Sequence, residues 1–166
     1  MKLLIASDHA GFPMKEAFLK NASRFKAADG SAITFEDLGT KSLDSVDYPD
    51  YANVLADKLL KEDPATGTPS SQHASTPRAL GVLICGSGVG ISIAANRFKH
   101  IRAVLAESPE VAKLSREHNH ANVLCLGGKI VSEEKAFQIL TAFLNATPDL
   151  GERHARRIQK LAQKGC

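Results

Sequence analysis

The sequence predicts an α/β protein, a parallel sheet covered on both faces by helices. Three observations point there. Five short apolar runs of strand length recur along the chain. Between them lie segments whose apolar residues recur at helical spacing, so strand and helix alternate. One of the runs, GVLIC (81–85), leads straight into a glycine-rich turn that reads as the opening of a helix.

LLIAS (3–7) is the first strand, and SDHAG follows it as a turn. Pro13 suits a first helical turn, and Met14, Ala17, Phe18, Ala22 and Phe25 then recur at helical spacing. AITFEDLG (32–39) is the second strand, ended by Gly39. Tyr51, Ala52, Leu55, Ala56, Leu59 and Leu60 mark a second helix, with Pro49 near its start. KEDPATGTPSSQHASTPR (61–78) is rich in Pro, Ser and Thr and has no periodicity. It reads as a solvated loop insertion within a single domain spanning 1–166.

GVLIC (81–85) is the third strand, and the glycine turn opens the third helix. IRAVLA (101–106) is the fourth strand. SPEVAKLSREH follows, with Ser108 as N-cap and Pro109 at the first helical position. NVLCLGG (122–128) is the fifth strand. Ala136, Ile139, Leu140, Phe143 and Leu144 mark a further helix, and Ile158, Leu161 and Ala162 a last one. There is no internal repeat.

Composition narrows the function classes. A chain of 166 residues with 43% hydrophobic content can bury a real core. A net charge of +3 is mild and does not announce nucleic acid. Aromatic residues are 5% and Trp is absent, which argues against a base-stacking surface. Three cysteines without a C-x-x-C pairing fit free thiols in a reducing compartment, so the expected location is cytoplasmic. MKLLIAS is too short for a signal peptide and reads as a buried strand. No apolar run is long enough to span a membrane.

In parallel sheets ligands bind beyond the carboxyl ends of the strands. Three polar segments are expected there: Ser7-Asp8-His9, Cys85-Gly86-Ser87-Gly88 and the turn at Gly127-Gly128. The stretch ICGSGVGISIAANR (84–97) has the layout of a phosphate-cradling loop, with a thiol at its mouth. A dinucleotide fingerprint is a weak fit, because G-x-G-x-G lacks the G-x-G-x-x-G spacing and lies in the third strand–helix unit. A nucleotide-triphosphate loop needs Gly-Lys-Ser/Thr, but Gly90 is followed by Ile91. A cysteine-phosphatase loop needs an arginine six residues after the thiol, where Ile91 stands. Two readings remain. Gly86, Gly88 and Gly90 permit a tight turn and Cys85 is a small core residue. Alternatively, amides at the helix start favour a thiolate and hold an oxyanion. The site is then a base beside a charge trap, suited to moving a proton next to a carbonyl without metal or cofactor.

Several separated motifs, in order, resemble the type B ribose-5-phosphate isomerases and their relatives acting on allose and galactose 6-phosphates. They are ASDHAG (6–11), DYPDYA (47–52), GVLICGSGVGISIAANR (81–97), IRAVL (101–105), LSREHNHANVLCLGGK (114–129) and GERHARRI (151–158). The loop at 61–78 stands outside the resemblance. The resemblance implies a Rossmann-like three-layer α/β/α sandwich with a five-stranded parallel sheet. It also implies a homodimer or dimer of dimers with sites between subunits, a sugar-phosphate substrate, and no cofactor or metal.

Residue by residue, it makes Cys85 the base that moves the proton between C2 and C1. Some members carry an acidic base at the position of Ile91 instead, so this chain is similar to the cysteine branch. Ser87 assists proton exchange at the substrate oxygens, and the amides of Gly86, Gly88, Val89 and Gly90 form the anion hole. His118 opens the furanose ring, with Asp8 sharing that role. Tyr48 and Asn119 contact the sugar. His9, Arg153 and Arg157 contact the phosphate, and His154 belongs to the same motif. Lys129 replaces an arginine and keeps the charge without the bidentate fork.

Each residue also has a plain reading. His118 suits a helix C-terminus electrostatically. Arg153, Arg156, Arg157 and Lys160 share one helical face that could be simply solvated. Asp8 could cap the first helix and Tyr48 anchor the second. Cys125 is core and Cys166 a tail thiol. The expected function is interconversion of ribose 5-phosphate and ribulose 5-phosphate. The alternatives are a six-carbon sugar-phosphate isomerase and a non-catalytic phospho-sugar or nucleotide binding module. The joint presence of Cys85, Ser87 and His118 speaks against the latter.

Overall fold

The computed structural model describes residues 1–67 and 77–163. Its elements alternate as expected: β1 (Lys2–Ser7), α1 (Phe12–Lys20), β2 (Thr34–Asp37), α2 (Tyr48–Glu62), β3 (Ala79–Cys85), α3 (Val89–Ala95), β4 (Ala103–Leu105), α4 (Pro109–Asn119), β5 (Val123–Gly127), α5 (Glu133–Asn145) and α6 (Glu152–Gln163). The five strands form one sheet in the order β2-β1-β3-β5-β4, and every pairing is parallel. The expected α/β fold is borne out.

Burial explains the apolar runs. All seven residues of the central strand β3 and all five of β5 are buried. A strand covered on both faces has no solvent side to mark with polar residues. The edge strands β2 and β4 are only partly buried. They are also shorter than their apolar patterns suggested, at 34–37 and 103–105 against 32–39 and 101–106. A residue flanking a strand can be buried without joining the ladder, as Ile101 is.

Alternate side chains divide into two cores. Leu3, Ile5, Val82, Ile84, Leu124 and Leu126 pack with Phe18, Phe137, Leu140 and Phe143. Leu4, Ala6, Leu83, Cys85, Val123 and Cys125 pack with Leu55, Leu59 and Ile91 on the other face. Truncating a fully buried side chain such as Phe143 to alanine is expected to cost about 3–5 kcal/mol.

The expected loop at 61–78 needs correction at its start. Lys61 and Glu62 complete α2, and Pro64–Gly67 form a short 3₁₀ turn. The Asp63 carboxylate accepts the Arg78 N–H at 2.9 Å, tying the two ends of the excursion together. Residues 68–76 lie outside the described residues, as does Cys166. Among the described residues no helix is long and apolar enough to cross a membrane.

The topology creates a crevice. The chain leaves β1 toward β2 on one side and later places β3 on the other. The turns after β1 and β3 therefore flank a topological switch point at the carboxyl edge of the sheet.

Candidate active site

Two groups of the singled-out residues come together, one at each edge of the sheet. The first lies at the carboxyl edge. Cys85 is the last residue of β3 and is 4% exposed. Its Sγ accepts the Gly88 N–H at 3.1 Å. That aim depends on Gly88, which has φ +78° and serves as N-cap of α3. A Cβ there would stand 2.5 Å from Leu105 Cδ1 and 2.9 Å from the Gly127 nitrogen. An amide pointed at a buried sulfur is complementary to negative charge on it.

The neighbouring turns are sewn to this one through the backbone. Asp8 N–H donates to Ile84 O at 3.1 Å, Gly128 N–H to Cys85 O at 2.8 Å, and Lys129 N–H to Gly86 O at 3.0 Å. The Lys129 stem runs beside Gly86, its Cδ 3.9 Å from where a Cβ would stand. The Tyr48 ring lies on Gly90, where a Cβ would meet Tyr48 Cζ at 2.6 Å and Oη at 2.8 Å. Tyr48 is also the first residue of α2, so it anchors that helix as well. His9 Nδ1 is engaged by the Val46 backbone, 3.2 Å from its N and 3.3 Å from its O. Nε2 is then the nitrogen available to a ligand.

Asp8 does not cap the first helix as its plain reading had it, and its carboxylate serves the turn before that helix instead. The buried Asp8 places Oδ1 2.8 Å from the Gly11 N–H, closing the turn into α1, with Gly11 itself the N-cap. The exposed Ser87 accepts the Val89 N–H at 3.3 Å, satisfying one amide of the α3 start. Cys125 is core, as expected. Burial, with Cys85 a smaller contributor, pushes its thiol far above the ordinary range.

The second group lies at the amino edge. Ser108 caps α4 by accepting the Val111 N–H at 3.3 Å, and Pro109 follows. The helix then runs back beside the sheet and ends at His120, whose φ is +50°. His118 is half-buried in the last turn, and Asn119 is exposed at its end. Asn119 borders a cavity of about 420 Å³ shared with Asn96, Arg102, Ser115 and Leu161. Asp149 N–H donates to Glu117 O at 2.8 Å and brings the start of α6 against this turn. The exposed Arg153 and Arg157 are carried there.

The groups are a strand length apart. Gly81 pairs with Val123 at the amino edge and Cys85 with Gly127 at the carboxyl edge. Four residue steps correspond to about 13 Å. Within one chain, Asp8, His9, Tyr48, Cys85 to Gly90 and Lys129 share one locale, while His118, Asn119, Arg153 and Arg157 share another.

The structure adds buried charges that sequence reasoning missed. Arg116 is 5% exposed, donates from Nη1 to Ala121 O at 2.6 Å and lies 5.5 Å over the Phe143 ring. Burial, and secondarily Arg102, brings its guanidinium down to about 10. Lys15 is wholly buried, with Nζ 2.8 Å from both oxygens of Asp37. Neither stands out in the sequence, where a basic residue between apolar positions reads as a helix surface. Among the described residues no group of three His, Cys, Asp or Glu side chains could hold a metal ion.

Comparison with known proteins agrees with this architecture. The family model for ribose/galactose isomerases matches residues 3–161. A probable ribose-5-phosphate isomerase B of Mycoplasma pneumoniae is 38% identical over 160 residues, which is 96% of this chain and 91% of that protein. The crystal structure of a ribose 5-phosphate isomerase from Thermotoga maritima is 41% identical with a TM-score of 0.77, covering 98% of this chain and 97% of that one. The ribose-5-phosphate isomerase B of Mycoplasma genitalium, solved with bound ribulose 5-phosphate, is 35% identical with a TM-score of 0.76, covering 98% and 94%.

Proposed function

The chain belongs to the ribose/galactose isomerase family, and on that premise we propose that it is an aldose–ketose isomerase interconverting ribose 5-phosphate and ribulose 5-phosphate. The observation that carries this reading is the Cys85 thiol facing the Gly88 amide at the switch point. In the aldose direction His118 moves protons between the anomeric hydroxyl and the ring oxygen, with Asp8 assisting, and the sugar opens. The Cys85 thiolate takes the C2 proton. The amides of Gly86, Gly88, Val89 and Gly90 hold the charge of the enediolate, and Ser87 assists proton exchange between its oxygens. Reprotonation at C1 yields the ketose, with no net gain or loss of protons. His9, Arg153, Arg157 and Lys129 bind the phosphate, and Tyr48 and Asn119 orient the sugar.

This division of labour draws on residues from both sheet edges. We infer that two copies associate so that the carboxyl edge of one meets the amino edge of the other. A two-fold arrangement then builds two equal sites. Val89 and Ile93, exposed along the outer face of α3 beside the turn, supply apolar surface for such a contact. The free thiols Cys85 and Cys125 suit a reducing cytoplasm.

The test is metal-free protein, treated with EDTA, offered ribose 5-phosphate and allose 6-phosphate in parallel. The expected result is turnover of the five-carbon substrate. A clear preference for allose 6-phosphate would move the enzyme to six-carbon sugars. Binding of both with turnover of neither would reduce the protein to a binding module.

A further inference from the structure

His118 does not stand free at the end of α4. Its ring lies flat on the ring of His154, with centroids 4.5 Å apart and planes 9° from parallel. His154 is 5% exposed, although α6 is otherwise highly charged. Its Nε2 stands 3.5 Å from Asp149 Oδ2 and 3.4 Å from Arg153 Nη2. The Nε2 lone pair accepts from the guanidinium, and the carboxylate stands within ion-pair distance of the same nitrogen. Asp149 is itself fastened on three sides. Its N–H donates to Glu117 O at 2.8 Å, its carbonyl oxygen lies 3.1 Å from His120 Nε2, and its Oδ1 accepts the Gly151 N–H at 2.8 Å.

We propose that His154 is a positioning residue for His118, held by Asp149, and that the stacked pair sets the angle at which the His118 imidazole meets the sugar. This rests on the ring-opening role given to His118 above. An imidazole at a helix end has a broad, two-fold χ2 preference and no fixed plane of its own. A flat partner pressed on its face selects one plane. Asp149 in turn fixes that partner to the same helical turn that carries His118, so the two rings move together. Ring opening needs this, because a proton must pass between two oxygens of one sugar at defined angles.

The experiment uses the full chain, two reactions and one spectrum. His154→Leu removes the ring face, and His154→Phe keeps it without nitrogens. Turnover of cyclic ribose 5-phosphate should fall about 10²-fold in His154→Leu, the loss expected for a misplaced group. Exchange of the C1 proton of ribulose 5-phosphate with D2O needs no ring opening and should stay within about threefold. His154→Phe should recover most of the turnover. Asp149→Asn should show a smaller loss with the same split, and it carries the test if His154→Leu does not fold. The His118 ring nitrogen signals in ¹⁵N–¹H NMR should move in His154→Leu and return in His154→Phe. Equal loss of both reactions, or unmoved His118 signals, overturns the proposal. His118→Ala runs alongside. If it spares ribose 5-phosphate turnover, the ring-opening role falls, and the His118 signals alone then decide whether His154 positions it.

Discussion

The two edges of the sheet are built differently. At the carboxyl edge, three turns are joined by main-chain hydrogen bonds, from Asp8 to Ile84, Gly128 to Cys85 and Lys129 to Gly86. Their geometry follows from backbone shape, and Cys85 inherits it through a single amide contact. At the amino edge, the same work falls to side chains of α4, α6 and the loop before α6: a ring stack, a guanidinium and a carboxylate. A backbone cradle excludes side chains where chains run closest, here at Gly88 and Gly127, yet barely depends on neighbouring side chains. A side-chain cradle can be taken apart one group at a time. The proposed chemistry follows that line only in part: charge stabilisation falls to the backbone of the carboxyl edge, while side chains of both edges, His9 and Lys129 with Arg153 and Arg157, take the phosphate.

The most direct way to break this comparison is to empty the backbone cradle. Cys85→Ala should lower isomerisation on the order of 10²–10⁴-fold, the range for a lost general base, while sugar-phosphate binding survives. Cys125→Ala, in the core, should keep its turnover per folded molecule. Substantial activity in Cys85→Ala would sink the thiolate mechanism.

The second test concerns what holds the carboxyl edge from below. Asp37 binds the wholly buried Lys15 and also accepts the Gly39 N–H at 3.0 Å. Asp37→Asn leaves a buried ammonium with Glu16 as its remaining carboxylate, at 3.0 Å, and should cost about 3 kcal/mol in urea unfolding. Lys15→Met leaves a partly solvated carboxylate and should cost less than about 1.5 kcal/mol. The reverse ranking would mean that the ammonium is not the group in need of a partner.

A third experiment asks whether the edges meet between copies. Cys85→Ala and His118→Ala are each expected to be impaired alone. Refolded together, half of the randomly paired dimers are mixed, and each carries one intact site. Roughly a quarter of the wild-type activity should return. If mixed dimers are demonstrated with a tagged partner and activity stays at the single-variant level, both residues act within one chain.

The smallest effect sharpens the picture of the amino edge. Arg153→Ala and Arg157→Ala should raise KM about tenfold with a lesser change in kcat, because phosphate is bound in ground and transition states alike. Unchanged kinetics in both would return that helical face to solvent.

Much of this was legible before any coordinates. The continuous apolar runs LLIAS, GVLIC and NVLCLGG announced strands buried on both faces, because water on either side would have demanded alternation. Ser108-Pro109 announced the start of α4, because a helix leaves its first amides open and proline has none to satisfy. The glycines of 86–90 announced a tight turn, because chain direction has to reverse within a few residues, and Gly88 with its φ of +78° is where that demand falls. These are local demands, and a sequence carries them locally. The apolar patterns at β2 and β4 run past the paired residues and so overstate those strands.

Tertiary structure alone decided the rest. That β5 inserts between β3 and β4 depends on how distant strands choose neighbours. That Lys15 is buried depends on Asp37, 22 residues away. That Arg116 lies over Phe143 and that His154 stacks on His118 depends on how helices pack. A buried charge or a stacked ring is defined by its partner, and the partner's position is a property of the folded chain.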